Sequence, residues 1–307
     1  MLDTVKESRN RSWVIGLISL IAIVALVGYF VEAKRDVPLP PPLRITKDPG
    51  SKRQHLEVPI LRYTKESRFD DSIAVDFVGA VHLGERAYYE DLNKRFEKYE
   101  AVLFELVSDG QNLPAIGEER GDSILGTLQR SLCGLLGLSF QLDEINYKAK
   151  NFVHADLSPQ ELSDAMTARG ESLPQLLMKL IRLSTDPELQ KALEEKGYAE
   201  NSLDGVNPLL ILLRGPTTEE RMKIRRFMAQ GLVGSDVVMK LLEGEKGFSL
   251  ITDRNIEAMS VLNRETAEGK RKLAIFYGVG HLPDFHKRLV DQGYRLGSVE
   301  WIDAWDM

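Results

Sequence analysis

Apolar runs of strand length recur along this chain, and two of them lead into the same short motif. Residues 73–78 and 273–277 are each followed by Gly-x-x-His, at residues 79–82 and 278–281. A stretch with helical periodicity follows each motif, so the chain contains two related strand-Gly-x-x-His-helix units. A third apolar run, residues 101–107, comes one helix after the first. Strand, helix and strand at this spacing predict a βαβ unit with parallel strands.

The segment between the two units, residues 122–267, has mainly helical periodicity. Residues 158–161 read Ser-Pro-Gln-Glu, which combines an N-cap, a proline in the first turn and a capping-box glutamate. One short apolar run, residues 151–154, predicts a strand within this segment. We therefore expect an α/β fold over residues 55–307, with a mostly parallel central sheet, two related strand-Gly-x-x-His-helix halves and a large helical insertion.

A longer apolar run lies near the N-terminus. Residues 13–31 contain no charged side chain and are bounded by Arg11 and Glu32. At about 1.5 Å per residue, a helix of this length crosses the hydrocarbon core of a bilayer. A cleaved signal peptide has a shorter apolar region and a small-residue cleavage site, so a retained transmembrane helix is the better interpretation. Residues 1–12 then form a short N-terminal tail of a single-pass membrane protein.

Prolines dominate the stretch that follows this predicted anchor. Five of them lie within residues 32–54, and they predict an extended, semi-rigid tether between the bilayer and the globular domain. Basic residues lie on both sides of the anchor, so the positive-inside rule does not fix its orientation. These residues are Lys6, Arg9 and Arg11 before it, and Lys34 and Arg35 after it.

Composition excludes several classes of function. The net charge of −6 provides no basic surface of the kind that nucleic acid requires, so nucleic acid is not an expected partner. Cys133 is the only cysteine, which excludes an intramolecular disulfide and a cysteine-rich metal cluster. The chain contains no Gly-x-Ser-x-Gly, His-Glu-x-x-His, P-loop or dinucleotide-binding motif.

The candidate chemistry lies where the predicted strands end. Ligands bind outside the carboxyl ends of parallel strands, and the two motifs deliver His82 and His281 to that edge. Each histidine alone is compatible with a structural cap, but the matched context favours one shared site. Glu105 interrupts an otherwise apolar strand, which we expect to lie beside the strand that leads to His82. An unpaired buried carboxylate is costly, so Glu105 must meet a metal ion, a cation or strong donors.

Two histidines and one carboxylate suit a divalent metal ion with open positions for water and substrate. Alternatively, Glu105 forms a salt bridge at the end of the sheet, with Arg254 as the candidate partner. Arg254 and Asn255 lie near a helix start, where they could stabilise an oxyanion or clamp a carboxylate. His154 and Asp156 end the short central strand on one face and form an alternative ligand pair. Asp156 could instead organise the turn into the next helix.

Taken together, these motifs resemble the TraB/PrgY/GumN family, which is related to the TIKI metalloproteases and more distantly to the erythromycin esterase/ChaN-like fold. The resemblance covers roughly residues 70–300. It rests on Gly79-x-x-His82, Leu103-Phe104-Glu105-Leu106-Val107, Arg254-Asn255, and Gly278-x-x-His281 followed by Gly293-Tyr294. It implies an α/β fold with both histidines and the glutamate in one site. In the TIKI branch that site supports metal-dependent proteolysis, whereas other branches are associated with peptide-pheromone control or polysaccharide production.

The expected function is a membrane-tethered, metal-dependent hydrolase, and within that class a peptidase. His82, His281 and Glu105 would hold a divalent ion such as Zn, Mn or Co, and Arg254 or Asn255 would stabilise the oxyanion. If Glu105 is not a ligand, it becomes the general base. The alternatives are a non-catalytic protein that sequesters a peptide or a haem-like ligand, or a scaffold in envelope assembly. The expected partners are the lipid bilayer, through residues 13–31, and a peptide or protein substrate.

The exported habit of the resembled relatives, together with the anchor and the proline tether, leads us to expect the globular domain outside the cytoplasm.

Overall fold

A mixed β-sheet of seven strands is the central element of the residues that the computed structural model describes. These are residues 37–66, 72–117, 124–172, 174, 175, 178, 203, 205–243 and 248–307. The strands are β1 (Arg44–Lys47), β2 (Gln54–Lys65), β3 (Ile73–Ala80), β4 (Leu83–Gly84), β5 (Ala101–Phe104), β6 (Ser139–Phe140), β7 (Phe152–His154), β8 (Lys272–Gly278) and β9 (Arg295–Asp306). β4 and β6 pair with each other outside the large sheet.

Helices separate several of these strands along the chain, and four of the described helices follow one another between β7 and β8. They are α1 (Arg86–Phe96), α2 (Ile124–Leu136), α3 (Gln141–Glu144), α4 (Pro159–Ala168), α5 (Pro208–Arg214), α6 (Thr218–Glu243), α7 (Thr252–Ala267) and α8 (Leu282–Asp291). A 3₁₀ turn, Val279–His281, leads from β8 into α8. The predicted capping box of α4 is confirmed, because the Ser158 side chain accepts a hydrogen bond from the Glu161 amide at 3.2 Å and the Glu161 carboxylate accepts one from the Ser158 amide at 2.8 Å.

The large sheet has a parallel half and an antiparallel half. β3, β8, β5 and β7 are parallel neighbours in that order. β2 runs antiparallel to β3 and to β9, and β1 pairs antiparallel with the first residues of β2. The α/β class is therefore confirmed. The expectation of a mostly parallel sheet is wrong, because β1, β2 and β9 add the antiparallel half.

β8 lies between β3 and β5, whereas the sequence predicted β5 directly beside β3. Residues 273–277 of β8 are all buried, so both faces of this strand are apolar. Such a strand belongs in the centre of a sheet that is covered on both sides. The register pairs Ala80 with Gly278, which brings the carboxyl ends of β3 and β8 level with each other. The two Gly-x-x-His motifs therefore leave the sheet at the same edge.

Helices cover both faces of the parallel half. Phe96 of α1 packs on Phe276 with their ring centroids 4.8 Å apart, and Phe285 of α8 packs on Phe77 at 5.6 Å. Phe77 pairs in register with Ile275, so Phe77 and Phe276 point to opposite faces of the sheet. Burial of each of these rings stabilises the fold by on the order of 1.5–3 kcal/mol. The two helices and the sheet between them therefore form three layers.

The segment predicted as a helical insertion also contributes to both sheets. β7 extends the parallel half beside β5, which confirms the strand expected at residues 151–154. β6 pairs with β4, and α3 follows immediately, so this part of the chain folds back over the ends of the central strands. That placement has a direct effect on the shape of the candidate site.

The N-terminal predictions fall mainly outside the described residues. Residues 1–12 and the predicted anchor, 13–31, are among those that are not described. Within the described part of the chain, no helix combines the length and the apolar character needed to span a membrane. β1 and the first residue of β2 lie inside the stretch predicted as a tether, and residues Leu39–Met307 form one compact unit. The folded part therefore begins before residue 55.

Candidate active site

Four candidate residues follow the carboxyl ends of the four parallel strands. Glu105 comes directly after β5, Asp156 follows β7, His281 follows β8, and His82 follows β3. Because these strands are parallel, their carboxyl ends share one edge of the sheet. This is the edge at which α/β proteins bind their ligands.

Glu105 accepts hydrogen bonds at both of its carboxylate oxygens. Oε1 lies 2.8 Å from Nη2 of Arg254, and Oε2 lies 2.6 Å from the backbone nitrogen of Gly278. A Cβ atom on Gly278 would lie only 3.2 Å from Oε2, so the glycine permits this close approach. Burial by itself would raise the pKa of Glu105, but His281, Arg254 and the Gly278 amide outweigh it and hold the pKa well below its usual range. Glu105 is therefore ionised.

Arg254, in the first turn of α7, joins two carboxylates. Its Nε and Nη2 atoms donate to the two oxygens of Asp156 at 2.9 and 2.6 Å, and Nη2 also donates to Glu105. Burial lowers the pKa of this guanidinium, but Asp156 and Glu105 reverse the effect and raise it. The salt bridge that the sequence allowed between Glu105 and Arg254 is thus present. The carboxylates that Arg254 clamps belong to the protein itself.

His281 is held in one orientation by Asn255. Its Nδ1 atom lies 2.6 Å from Oδ1 of Asn255, whose Nδ2 donates to Asp284 at 2.7 Å and to the His281 carbonyl at 3.3 Å. A carboxylate only accepts, so the Asn255 amide must present its oxygen to His281, and Nδ1 must carry a proton. Nε2 consequently faces Oε1 of Glu105, at 3.5 Å.

His82 reaches the same region from the solvent side. It is exposed, and its carbonyl accepts a hydrogen bond from the Gln141 amide at 2.8 Å. With Glu105 and Arg254 it lines a cavity of about 380 Å³. The rest of the lining consists of Leu83, Leu106, Val107, Leu132, Phe140, Gln141 and Leu142. The site therefore has a polar end and a largely apolar wall.

The alternative ligand pair, His154 and Asp156, contacts two different sets of groups. Nε2 of His154 donates to the Leu106 carbonyl at 2.7 Å, which supports the loop after β5. Asp156 pairs with Arg254 and also accepts a hydrogen bond from the Leu157 amide at 2.8 Å. Asp156 thus organises the turn towards α4 and holds Arg254, while the Nε2 atom of His154 is already engaged by the backbone.

The site fits the predicted metal ion only in part. Among the described residues, no three His, Cys, Asp or Glu side chains are arranged to hold a metal ion as they stand. Glu105 and His281 do face each other, and His281 has the protonated Nδ1 and fixed ring that metal-bound histidines usually show. Each oxygen of Glu105 has two lone pairs, so its bond to Arg254 leaves room for a second partner. His82 would supply the third ligand.

Sequence reasoning did not identify the cavity wall or Asp284. Leu83 and Phe140 reach the cavity through the pairing of β4 with β6, which neither segment reveals alone. Asp284 lies three residues after His281 in the first turn of α8, a spacing that places both on one helix face and was a usable signal.

Searches against family models, curated proteins and solved structures find no match for this chain. The resemblance to the TraB/PrgY/GumN family therefore stays a prediction from its motifs.

Proposed function

We propose that this protein is a membrane-tethered, metal-dependent hydrolase that cleaves peptide bonds. The observation that supports this best is the pairing of two reactive groups at the sheet edge. Nε2 of His281 faces the ionised carboxylate of Glu105 at 3.5 Å, and Glu105 lines a cavity large enough for a substrate side chain. His82 lies on the wall of the same cavity, accessible to an incoming ligand.

His82, Glu105 and His281 would hold the divalent ion. When bound, such an ion lowers the pKa of its water and polarises the carbonyl group of the substrate. Asn255 keeps the Nε2 atom of His281 directed at the site by accepting the Nδ1 proton in a hydrogen bond. Glu105, ionised because of its depressed pKa, is available as a ligand; the same low pKa makes it a weaker proton acceptor, so the ligand role fits it better than the general-base alternative.

Of the two residues expected to stabilise an oxyanion, Arg254 is the better candidate. The amide nitrogen of Asn255 already donates to Asp284 and to the His281 carbonyl, so both of its N–H groups are used. Nη1 of Arg254 donates to the Leu250 carbonyl at 3.4 Å and retains a second N–H group. We therefore assign Asn255 to positioning His281, and Arg254 to the developing negative charge.

The second candidate function is non-catalytic binding of a peptide or a haem-like ligand in the same cavity. It is favoured by the salt bridge between Glu105 and Arg254, because this bridge compensates the buried charge of Glu105 and so explains the carboxylate without a catalytic role. In that case Glu105 would serve only to fix the end of β5. The two proposals separate experimentally, because only hydrolysis requires the charge of Glu105 during turnover.

The test uses the full chain purified in detergent. We expect elemental analysis to find about one equivalent of Zn, Mn or Co in the wild-type protein. The metal should be lost in His82→Ala and in His281→Ala. It should be retained in His154→Ala, the control, because His154 is bonded to the backbone. Peptide hydrolysis should follow metal content. Activity in metal-free protein would contradict the metal dependence. A protein that binds peptides but cleaves none of them under any metal would favour the binding alternative.

A further inference from the structure

We infer that the cavity beside Glu105 selects a bulky, uncharged apolar side chain next to the scissile peptide bond. This inference rests on the proposed function and adds to it the class of substrate. The supporting observation is the division of the cavity into a polar end and an apolar wall, brought together from distant parts of the chain.

The apolar wall is built from four separate elements and one loop. Leu83 comes from β4, Phe140 from β6, Leu132 from α2 and Leu142 from α3. Leu106 and Val107 follow β5 directly after Glu105 and complete the wall. A leucine, methionine or phenylalanine side chain that enters such a wall loses its contact with water, which stabilises binding.

The apolar wall disfavours an ionic side chain, because the charged lining residues Glu105 and Arg254 lie at the polar end of the cavity and already pair with each other. Arg254, a lining cation, already bridges Asp156 and Glu105. Glu105 is likewise engaged by Arg254 and the Gly278 amide. A lysine or aspartate side chain of the substrate that entered the apolar wall would be desolvated against leucine side chains, away from the polar end at which Arg254 and Glu105 lie, and this is costly. Apolar side chains of the substrate are therefore favoured, because the wall binds them and disfavours charged ones.

The cavity also places the selected side chain beside the reacting groups. His82 and Glu105 line the same space as the six apolar residues, and Leu106 adjoins Glu105 in the chain. A side chain in the apolar part thus holds its own backbone within reach of the polar end. Binding energy from the side chain would fix the carbonyl group for attack.

The decisive variant is Leu142→Trp, which narrows the cavity without touching its polar end. Leu142 lies in α3 and is half-buried, so the larger ring has an open direction in which to enter the cavity. The matched control is Leu213→Trp in α5, where the leucine is 74% exposed. Melting temperatures of both variants establish that they fold.

The experiment uses the full chain in detergent and two probes. The first is a mixed peptide library whose cleavage sites are read by mass spectrometry. We expect cleavage beside leucine, methionine and phenylalanine, and a loss of at least tenfold for these sites in Leu142→Trp. Sites that carry alanine should change less than twofold. Cleavage without apolar preference, or an equal loss at all sites in the folded variant, would overturn the inference while leaving the hydrolase proposal intact.

The second probe is a peptide that carries a photoreactive diazirine analogue of leucine. We expect cross-links to residues of the apolar wall in wild-type protein and in Leu213→Trp, and their loss in Leu142→Trp. Cross-linking without any cleavage would reject the hydrolase proposal and support the apolar selectivity. Cross-links elsewhere on the surface would reject the selectivity even if peptides are cleaved.

Discussion

Glu105 connects the ion-pair network to the proposed chemistry, so its charge should matter for both activity and stability. In Glu105→Gln we expect hydrolysis to be abolished, because glutamine neither binds a cation strongly nor accepts a proton. Arg254 keeps its two bonds to Asp156, so the loss of stability should be about 1–3 kcal/mol. Loss of a buried pair that leaves one charge uncompensated would cost more, about 3–5 kcal/mol. Activity assays and chemical unfolding measure the two effects.

Glu265→Gln is the matched control for this variant. Glu265 is also a buried carboxylate and lies in the last turns of α7. It pairs with Arg264 in that helix and with Lys270, which follows the helix. We expect a comparable loss of stability with full activity. If Glu265→Gln and Glu105→Gln lower activity equally, the effect of Glu105 is structural rather than catalytic.

The depressed pKa of Glu105 also predicts how its contribution depends on pH. Because the pKa in the folded state lies well below the unfolded value of 4.5, the ionised carboxylate favours folding. This stabilisation is complete above the unfolded pKa and is lost as the pH falls through the folded pKa. The stability difference between wild-type and Glu105→Gln protein should therefore shrink below about pH 4.5. Urea unfolding at a series of pH values measures it, and a difference independent of pH would contradict the assignment.

Asn255 gives a prediction about positioning. In Asn255→Ala, Nδ1 of His281 loses its acceptor, so the ring can rotate and change tautomer. Outer-shell changes of this kind typically lower metal affinity or activity by about 10–100-fold. We expect a loss in that range together with an altered pH profile of activity. Unchanged metal affinity and an unchanged pH profile in a folded variant would show that Asn255 serves only packing.

At the scale of elements, Arg225 fixes α6 to the rest of the domain. Its side chain is 5% exposed and contacts the Leu136, Gly137 and Asp306 carbonyls at 2.6, 2.9 and 2.7 Å, and Glu85 at 2.6 Å. Arg225→Met leaves these acceptors without their donor, so we expect a loss of about 3–5 kcal/mol in unfolding free energy. Unfolding followed by tryptophan fluorescence reports this value.

Lys223→Met provides the comparison on the same helix. Lys223 pairs with Glu219 one turn earlier, where Glu219 is 80% exposed. Such surface pairs contribute little, so the change should stay within about 0.5 kcal/mol. If Arg225→Met also changes stability by less than 1 kcal/mol, Arg225 does not anchor α6.

The elements themselves were largely predictable, whereas their order in the sheet was not. Local periodicity identified β3, β5, β7 and β8, and the capping box identified the start of α4. The position of β8 between β3 and β5 depends on pairing between segments that are far apart in sequence. A local pattern does not contain this information. The same limit applies to the site. Glu105, Arg254 and His281 were identifiable by residue type and context, but the wall formed by β4 and β6 depends on tertiary pairing.

At the scale of the whole molecule, the candidate site exists only when distant segments meet. Glu105, Asp156, Arg254 and His281 come from four parts of the chain and contact one another through side chains or through a shared partner. A substitution that destabilises the packing of the insertion, residues 122–267, should therefore lower activity even though no catalytic residue is changed. Arg225 does not line the cavity, so Arg225→Met tests the site through the packing of the insertion, whereas Glu105→Gln tests it directly.

The orientation of the chain in the membrane can be tested with a reporter fused to its C-terminal residue. We expect Met307 on the non-cytoplasmic side, with residues 13–31 as a retained anchor. A reporter that is active only in the cytoplasm, fused to Met307 through a flexible linker, should be inactive in the membrane fraction. The matched control lacks residues 13–31; its reporter should be active and its protein soluble. Strong reporter activity in the intact, membrane-bound fusion would reverse the orientation, and recovery of the intact chain in the soluble fraction would reject the anchor.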